Sequence, residues 1–79
     1  MKIKIKFFAS AREQVGTNYV ELDLPANSKL VQIRELLNDR YPSFKRMPGR
    51  WAVNMEFVSG DTCVSSNDEI AWIPPVSGG

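Results

Sequence analysis

Seventy-nine residues suffice for one small folded unit but leave little room for a deep catalytic pocket, which favours a carrier or binding module over a self-contained enzyme. The chain is 43% hydrophobic and 24% charged, as ordinary soluble globular proteins are, and its net charge of +1 is no general nucleic-acid signature. It has no histidine, which excludes His-based acid–base catalysis and His metal sites, and its one cysteine, Cys63, cannot make an internal disulfide, as expected in a reducing, cytoplasmic compartment.

Residues 1–6 alternate charged with apolar side chains and contain no apolar stretch of the signal-peptide kind. No apolar run spans a bilayer, so a membrane partner is not expected. The alternation of Lys2, Lys4 and Lys6 with Ile3, Ile5 and Phe7 predicts a strand with its isoleucines and Phe7 inward and its lysines outward. Phe8 continues it on the lysine side. Its ring is either covered there by a loop or exposed as a partner contact.

Residues 9–15 form a short helical turn or loop. Ser10 is placed to cap it with Glu13 as reciprocal partner, and Gly16 closes it. Gly16-Thr17-Asn18 then turns the chain into a second strand over 19–24, which pairs with the first. Val20, Leu22 and Leu24 share one face of it, and Pro25 ends it.

Asn27 or Ser28 is the expected cap of a helix running to about Tyr41. Leu30, Ile33, Leu37 and Tyr41 recur at helical spacing with Leu36 beside them, so this amphipathic helix packs on a sheet until Pro42 stops it. Residues 42–50 have loop composition, with Pro48-Gly49 as a turn signal. Lys45, Arg46 and Arg50 make the segment basic, which suits a solvated loop. A docking patch for an acidic or nucleotide-bearing partner is the alternative.

Residues 51–53 form a third strand. Asn54-Met55 either turns it into a short return strand over 56–58 or lies within one continuous strand, since Met55 stands where glycine is usual. A turn over 59–61, an extended piece over 62–64 and a polar loop over 65–68 follow. The last strand, 69–73, puts Ile70 and Trp72 on one face and Ala71 and Ile73 on the other. Two strands, a helix and more strands are the order of an α+β domain with a helix packed across a mixed sheet, its first and last strands adjacent in the middle.

The chain ends Pro74-Pro75-Val76-Ser77-Gly78-Gly79. The prolines hold the exit from the last strand extended. The glycines, lacking Cβ, can thread a narrow channel, and the Gly79 carboxylate is unhindered. A thin, sterically open chain end suits being fed into another protein's active site, with Gly79 carrying the chemistry.

Three stretches, 7–13 (FFASARE), 52–54 (AVN) and 68–79 (DEIAWIPPVSGG), resemble the small subunits of molybdopterin synthase, a ubiquitin-like sulfur-carrier family with the β-grasp fold. The resemblance spans essentially the whole chain, residues 1–79 as one β-grasp domain with a flexible Gly-Gly tail, and departs from the family at Met55. It implies that an ATP-using enzyme adenylates Gly79, that the adenylate becomes a thiocarboxylate, and that the tail enters the large subunit and gives its sulfur to cyclic pyranopterin monophosphate. Two deliveries make the dithiolene. No permanently bound cofactor, metal or nucleic acid is implied, and the assembly is a heterotetramer. Phe8, Phe57, Ile73 and Pro74 are the expected docking patch, leading into a tail of Pro75, Ser77, Gly78 and Gly79. Cys63 is expected to be a small packed residue rather than a second sulfur-handling group. A carrier of the same fold for thiamine synthesis or tRNA thiolation, a modifier joined to lysines through Gly79, and an adaptor with an inert tail are the alternatives.

Overall fold

The computed structural model describes residues 1–75. Strands β1 (Lys2–Phe7), β2 (Tyr19–Asp23), β3 (Arg50–Val53), β4 (Glu56–Phe57) and β5 (Ile70–Ile73) form one mixed sheet in the order β2-β1-β5-β3-β4. The first and last strands lie side by side in parallel at its centre, with Phe7 opposite Trp72. A parallel pair cannot be joined by a tight turn, so the intervening chain must cross over. Helix α2 (Leu30–Arg40) makes that crossing and buries Leu30, Ile33 and Leu37 against one sheet face. Ile3, Ile5 and Phe7 meet them from β1, and Ile70 and Trp72 from β5, as strand alternation requires. Leu36 points outward instead and is exposed.

Helix α1 (Ala9–Val15) closes on Gly16, whose φ of 88° lets its N–H reach the Arg12 carbonyl. Phe8, not Ser10, is its N-cap. The Phe7 N–H is held by the Asn18 carbonyl, so the strand geometry runs into Phe8 and the helix begins before Ser10 can cap it. In α2 the cap is Lys29 rather than Asn27 or Ser28. The first turn needs no side-chain cap from those residues, because Leu30 and Val31 donate to the Thr62 and Gly60 carbonyls at 3.1 and 2.9 Å. The Gln32 side chain accepts from the Lys29 N–H at 2.8 Å, and the Ser28 hydroxyl turns back to the Pro25 carbonyl.

Residues 42–50 are not simply a solvated loop. Pro42–Arg46 is a 3-10 turn, and the Met47 N–H donates to the Phe44 carbonyl. Side chains three apart on such a turn lie over one another, so Phe44 and Met47 both enter the core while Lys45 and Arg46 stay in water. Phe44 joins Phe7 and Trp72 at ring-centroid distances of 6.0 and 5.1 Å, and Trp51 meets Trp72 edge-on at 5.0 Å. Gly49 fits beneath this cluster. A Cβ there would lie 2.6 Å from the Trp72 ring and 2.9 Å from the Ile73 carbonyl oxygen, so a side chain would dislodge β5.

The chain reverses between β3 and β4, which rules out one continuous strand. Asn54 and Met55, at φ 52° and 70°, form a two-residue turn that sets Ala52 opposite Phe57. Cys63 is exposed rather than packed, because the extended piece that bridges to Lys29 sends Val64 inward and Cys63 out. No helix among the described residues is long and apolar enough to cross a membrane.

Candidate functional site: an apolar face on the sheet

The helix covers one face of the sheet, so the side chains that alternate away from it are left on the other. The strand register lines up one row across all five strands: Tyr19, Lys6, Ala71, Ala52 and Phe57. Its third and fourth members, on β5 and β3, are alanines, which leave a trough. Phe8, Phe57 and Ile73 stand around that trough and enclose a groove of about 380 Å³ with Met55 on its rim. Lys6 and Glu69 supply charge to its lining. Phe8 and Phe57 are about half exposed, at 48% and 53%, and Met55 is bare at 92%. Large apolar side chains gathered this way mark a surface meant to be covered.

Each wall has a local cause. Phe8 is extended (φ −121°, ψ 152°) and Ala9 turns sharply at φ 49°, which leaves the Phe8 ring outside both β1 and α1. Phe57 sits on the short edge strand under Arg50, whose guanidinium carbon lies 4.1 Å from the ring centroid. Such a stacked cation keeps the edge of the patch wet and charged while its centre stays apolar. Ile73 ends β5 and is half-buried, as is Pro74, while Pro75 is exposed.

The Met55 rim is fastened from behind. The Asn54 N–H donates to the Glu69 carbonyl at 2.8 Å, the Glu69 N–H to Asn54 Oδ1 at 3.0 Å, and Asn54 Nδ2 to Asp68 Oδ1 at 3.1 Å. Asp68 Oδ2 accepts from the Ser65 N–H at 2.8 Å. The Ser65 N–H, and then the Asn54 amide, hold the Asp68 carboxyl below its ordinary value of 3.8. A lowered native pKa stabilises the folded state above the unfolded value and loses that contribution as pH falls through the native one. The turn should therefore be indifferent to pH across the neutral range and loosen only below about pH 4. Hydrogen exchange of the Asn54 and Glu69 amides against pH checks this, and Asp68→Asn should remove the step.

Phe8, Phe57 and Ile73 therefore line one groove, and Pro74 continues from Ile73 without lining it. Ser77, Gly78 and Gly79 lie outside the described residues. The alanine trough and Met55 join the site without a sequence motif of their own, although strand alternation does put Ala71 on the outward face. Among the described residues no cluster of metal-ligating side chains occurs. The groove offers mainly the apolar surface of alanine, phenylalanine and isoleucine, with Lys6 and Glu69 in its lining.

A small mixed sheet crossed by one main helix, with an apolar outer face along the strand that leads to the chain end, defines a ubiquitin-like β-grasp protein. The chain belongs to the ThiS family, whose model matches residues 5–79. It is 40% identical to a molybdopterin synthase sulfur carrier subunit of Escherichia coli (strain K12), over 98% of this chain and 99% of that one. The solution structure of small archaeal modifier protein 1 from Methanosarcina acetivorans superposes with a TM-score of 0.81 at 26% identity, covering 99% of this chain and 96% of that one. A protein–protein complex of subunits 1 and 2 of molybdopterin-converting factor from Helicobacter pylori 26695 contains a chain of the same fold, with a TM-score of 0.74, 20% identity and full coverage of both chains.

Proposed function

We propose that this chain is the sulfur carrier subunit of a molybdopterin synthase and that Gly79 bears the sulfur. The observation that carries the reading is the apolar groove beside Ile73, on a chain whose family match runs to residue 79. A partner seated on that groove holds the start of the tail. Six residues follow Ile73, and an extended chain covers about 3.3–3.6 Å per residue, so the partner's reactive centre lies within roughly 20 Å of the groove.

The chemistry follows from the poor electrophilicity of a carboxylate. An activating enzyme joins the Gly79 carboxylate to AMP, using ATP and releasing pyrophosphate. Hydrosulfide, or a persulfide whose S–S bond a thiol then cleaves reductively, attacks the acyl carbon and AMP leaves, giving a thiocarboxylate. Its sulfur is a soft anionic nucleophile, like a cysteine thiolate. In the large subunit it attacks a side-chain carbon of cyclic pyranopterin monophosphate, forming a C–S bond as that carbon gives up its oxygen substituent. Water then cleaves the acyl–sulfur bond, which leaves sulfur on the pterin and restores the carboxylate. The cations and oxyanion donors for these steps come from the partners. The exposed Cys63 thiol fits a reducing, cytoplasmic setting.

The deciding experiment is a fragment mass spectrum of the C-terminal peptide from protein recovered from cells able to load it. An oxygen-to-sulfur shift confined to Gly79 supports the carrier, and addition of the pterin precursor and a large subunit then tests the pathway. A second reading is supported by the likeness to an archaeal modifier protein, since an amine attacking the same adenylate gives an isopeptide bond. A branched Gly-Gly remnant on target lysines, with no thiocarboxylate, favours it.

Docking through the groove is tested at Phe8. Phe8→Asp places a charge on the apolar face, yet also supplies a favoured helix cap at the N-terminus of α1. Large-subunit affinity should fall about tenfold or more, the loss expected when a buried aromatic anchor is removed. The unfolding midpoint should hold or rise slightly. Equal binding by titration calorimetry would remove Phe8 from the docking face.

A further inference from the structure

We propose that Met55 is a principal anchor of the docking face and enters an apolar recess on the large subunit of the synthase, an inference that rests on the function proposed above. Two observations make Met55 costly within its own chain. Its φ of 70° is left-handed, a conformation open to glycine and disfavoured for an unbranched L side chain. Its side chain is 92% exposed, so almost none of its apolar surface is withdrawn from water by the fold. Glycine at 55 would relieve both costs.

The exposure is not slack in a loose loop. Asn54, immediately before it, is tied to Glu69 through two backbone–chain-spanning hydrogen bonds and to Asp68 through a third. The turn therefore presents Met55 at a fixed place, on the rim of the groove whose other walls are Phe8, Phe57 and Ile73. Phe57 has a guanidinium over its ring, whereas Met55 stands uncovered. A side chain that strains the backbone, adds nothing to the core and borders an apolar groove has its compensation outside the chain. Methionine suits the role. Its thioether arm is flexible and polarisable, so it fits an irregular apolar recess, best one with an aromatic ring beside the sulfur.

The test pairs stability with binding, and binding should fall with no loss of stability. Met55→Gly should raise the unfolding midpoint by a few degrees or leave it unchanged, as relief of a left-handed side chain predicts. Its affinity for the large subunit, by titration calorimetry, should fall about tenfold, chiefly through faster dissociation. Met55→Leu, which keeps apolar volume, should bind within about threefold of the parent, while Met55→Gln should bind nearly as weakly as the glycine variant. Equal binding by Met55→Gly and the parent overturns the inference and leaves the carrier function standing. Equal binding by Met55→Gln and Met55→Leu also overturns it, since the recess would then not be apolar. A parent chain that does not bind the large subunit at all removes the proposed function, and this inference with it.

Discussion

Deletion of Gly79 is expected to abolish thiocarboxylate formation and leave the unfolding midpoint unchanged. The shortened chain still ends in an unhindered glycine, Gly78, so the deletion alters reach rather than steric access. One residue of extended chain is about 3.3–3.6 Å. Reacting groups must approach to about 3–3.5 Å, and a misplacement of 1 Å already costs on the order of a hundredfold. A carboxylate held a full residue short of an adenylating centre therefore falls outside productive geometry. Stability has no such dependence, since every buried apolar residue of the described chain lies at or before Trp72. Thermal unfolding by circular dichroism and the fragment spectrum of the C-terminal peptide check the two halves independently. Unfolding of the deletion variant would make the tail a structural element. Undiminished thiolation at Gly78 would show that reach is not limiting, and a sulfur shift away from the chain end would place the chemistry on another group.

What was legible in the sequence is what short-range periodicity controls. The alternation of Ile3, Ile5 and Phe7 against lysines, and of Ile70 and Trp72 against Ala71 and Ile73, assigns each side chain a face, and a strand has no other way to arrange them. Alternation therefore assigns Phe8 and Ile73 to the open side, whereas Phe57 depends on reading residues 56–58 as a return strand. The helix caps differ from the residue types the sequence favours for a physical reason. Ser10 and Ser28 are good cap residues by type, but the backbone donors of α2 were already satisfied by Gly60 and Thr62, some thirty residues on. Only the fold brings those carbonyls there. The same holds for the Asn54–Asp68 bond, which joins residues 14 apart in the chain. Met55 carried a readable signal, a large side chain in a turn that favours glycine. Its meaning depended on a groove built by four other segments.

Phe44 lay in a segment whose prolines and basic residues look like solvated loop, and its replacement should be among the most damaging single changes in the chain. Its side chain is fully buried, with Phe7 edge-on to it, Trp72 tilted against it and the Arg34 guanidinium carbon 5.8 Å from its ring centroid. Phe→Ala in a core costs about 3–5 kcal/mol, because the transfer energy of the ring is lost and a cavity remains. A domain of this size has a total stability of roughly 4–12 kcal/mol, so Phe44→Ala removes a large share of it. The midpoint should fall by roughly 12–40 °C, since 1 kcal/mol shifts a domain of this size by about 4–8 °C. Phe44→Leu, which fills most of the volume, should lose much less. Denaturant unfolding with an unchanged slope distinguishes this from a collapsed unfolded state. A loss under about 1 kcal/mol would mean that the 3-10 turn is peripheral to the core. The functional consequence follows from position. Phe44 supports Trp72 from the helix side of β5, and Ala71 and Ile73 project from the opposite side of the same strand into the groove. At temperatures where the variant remains folded, a β5 that has settled into the vacated space should bind the large subunit more weakly, although no groove residue has been changed.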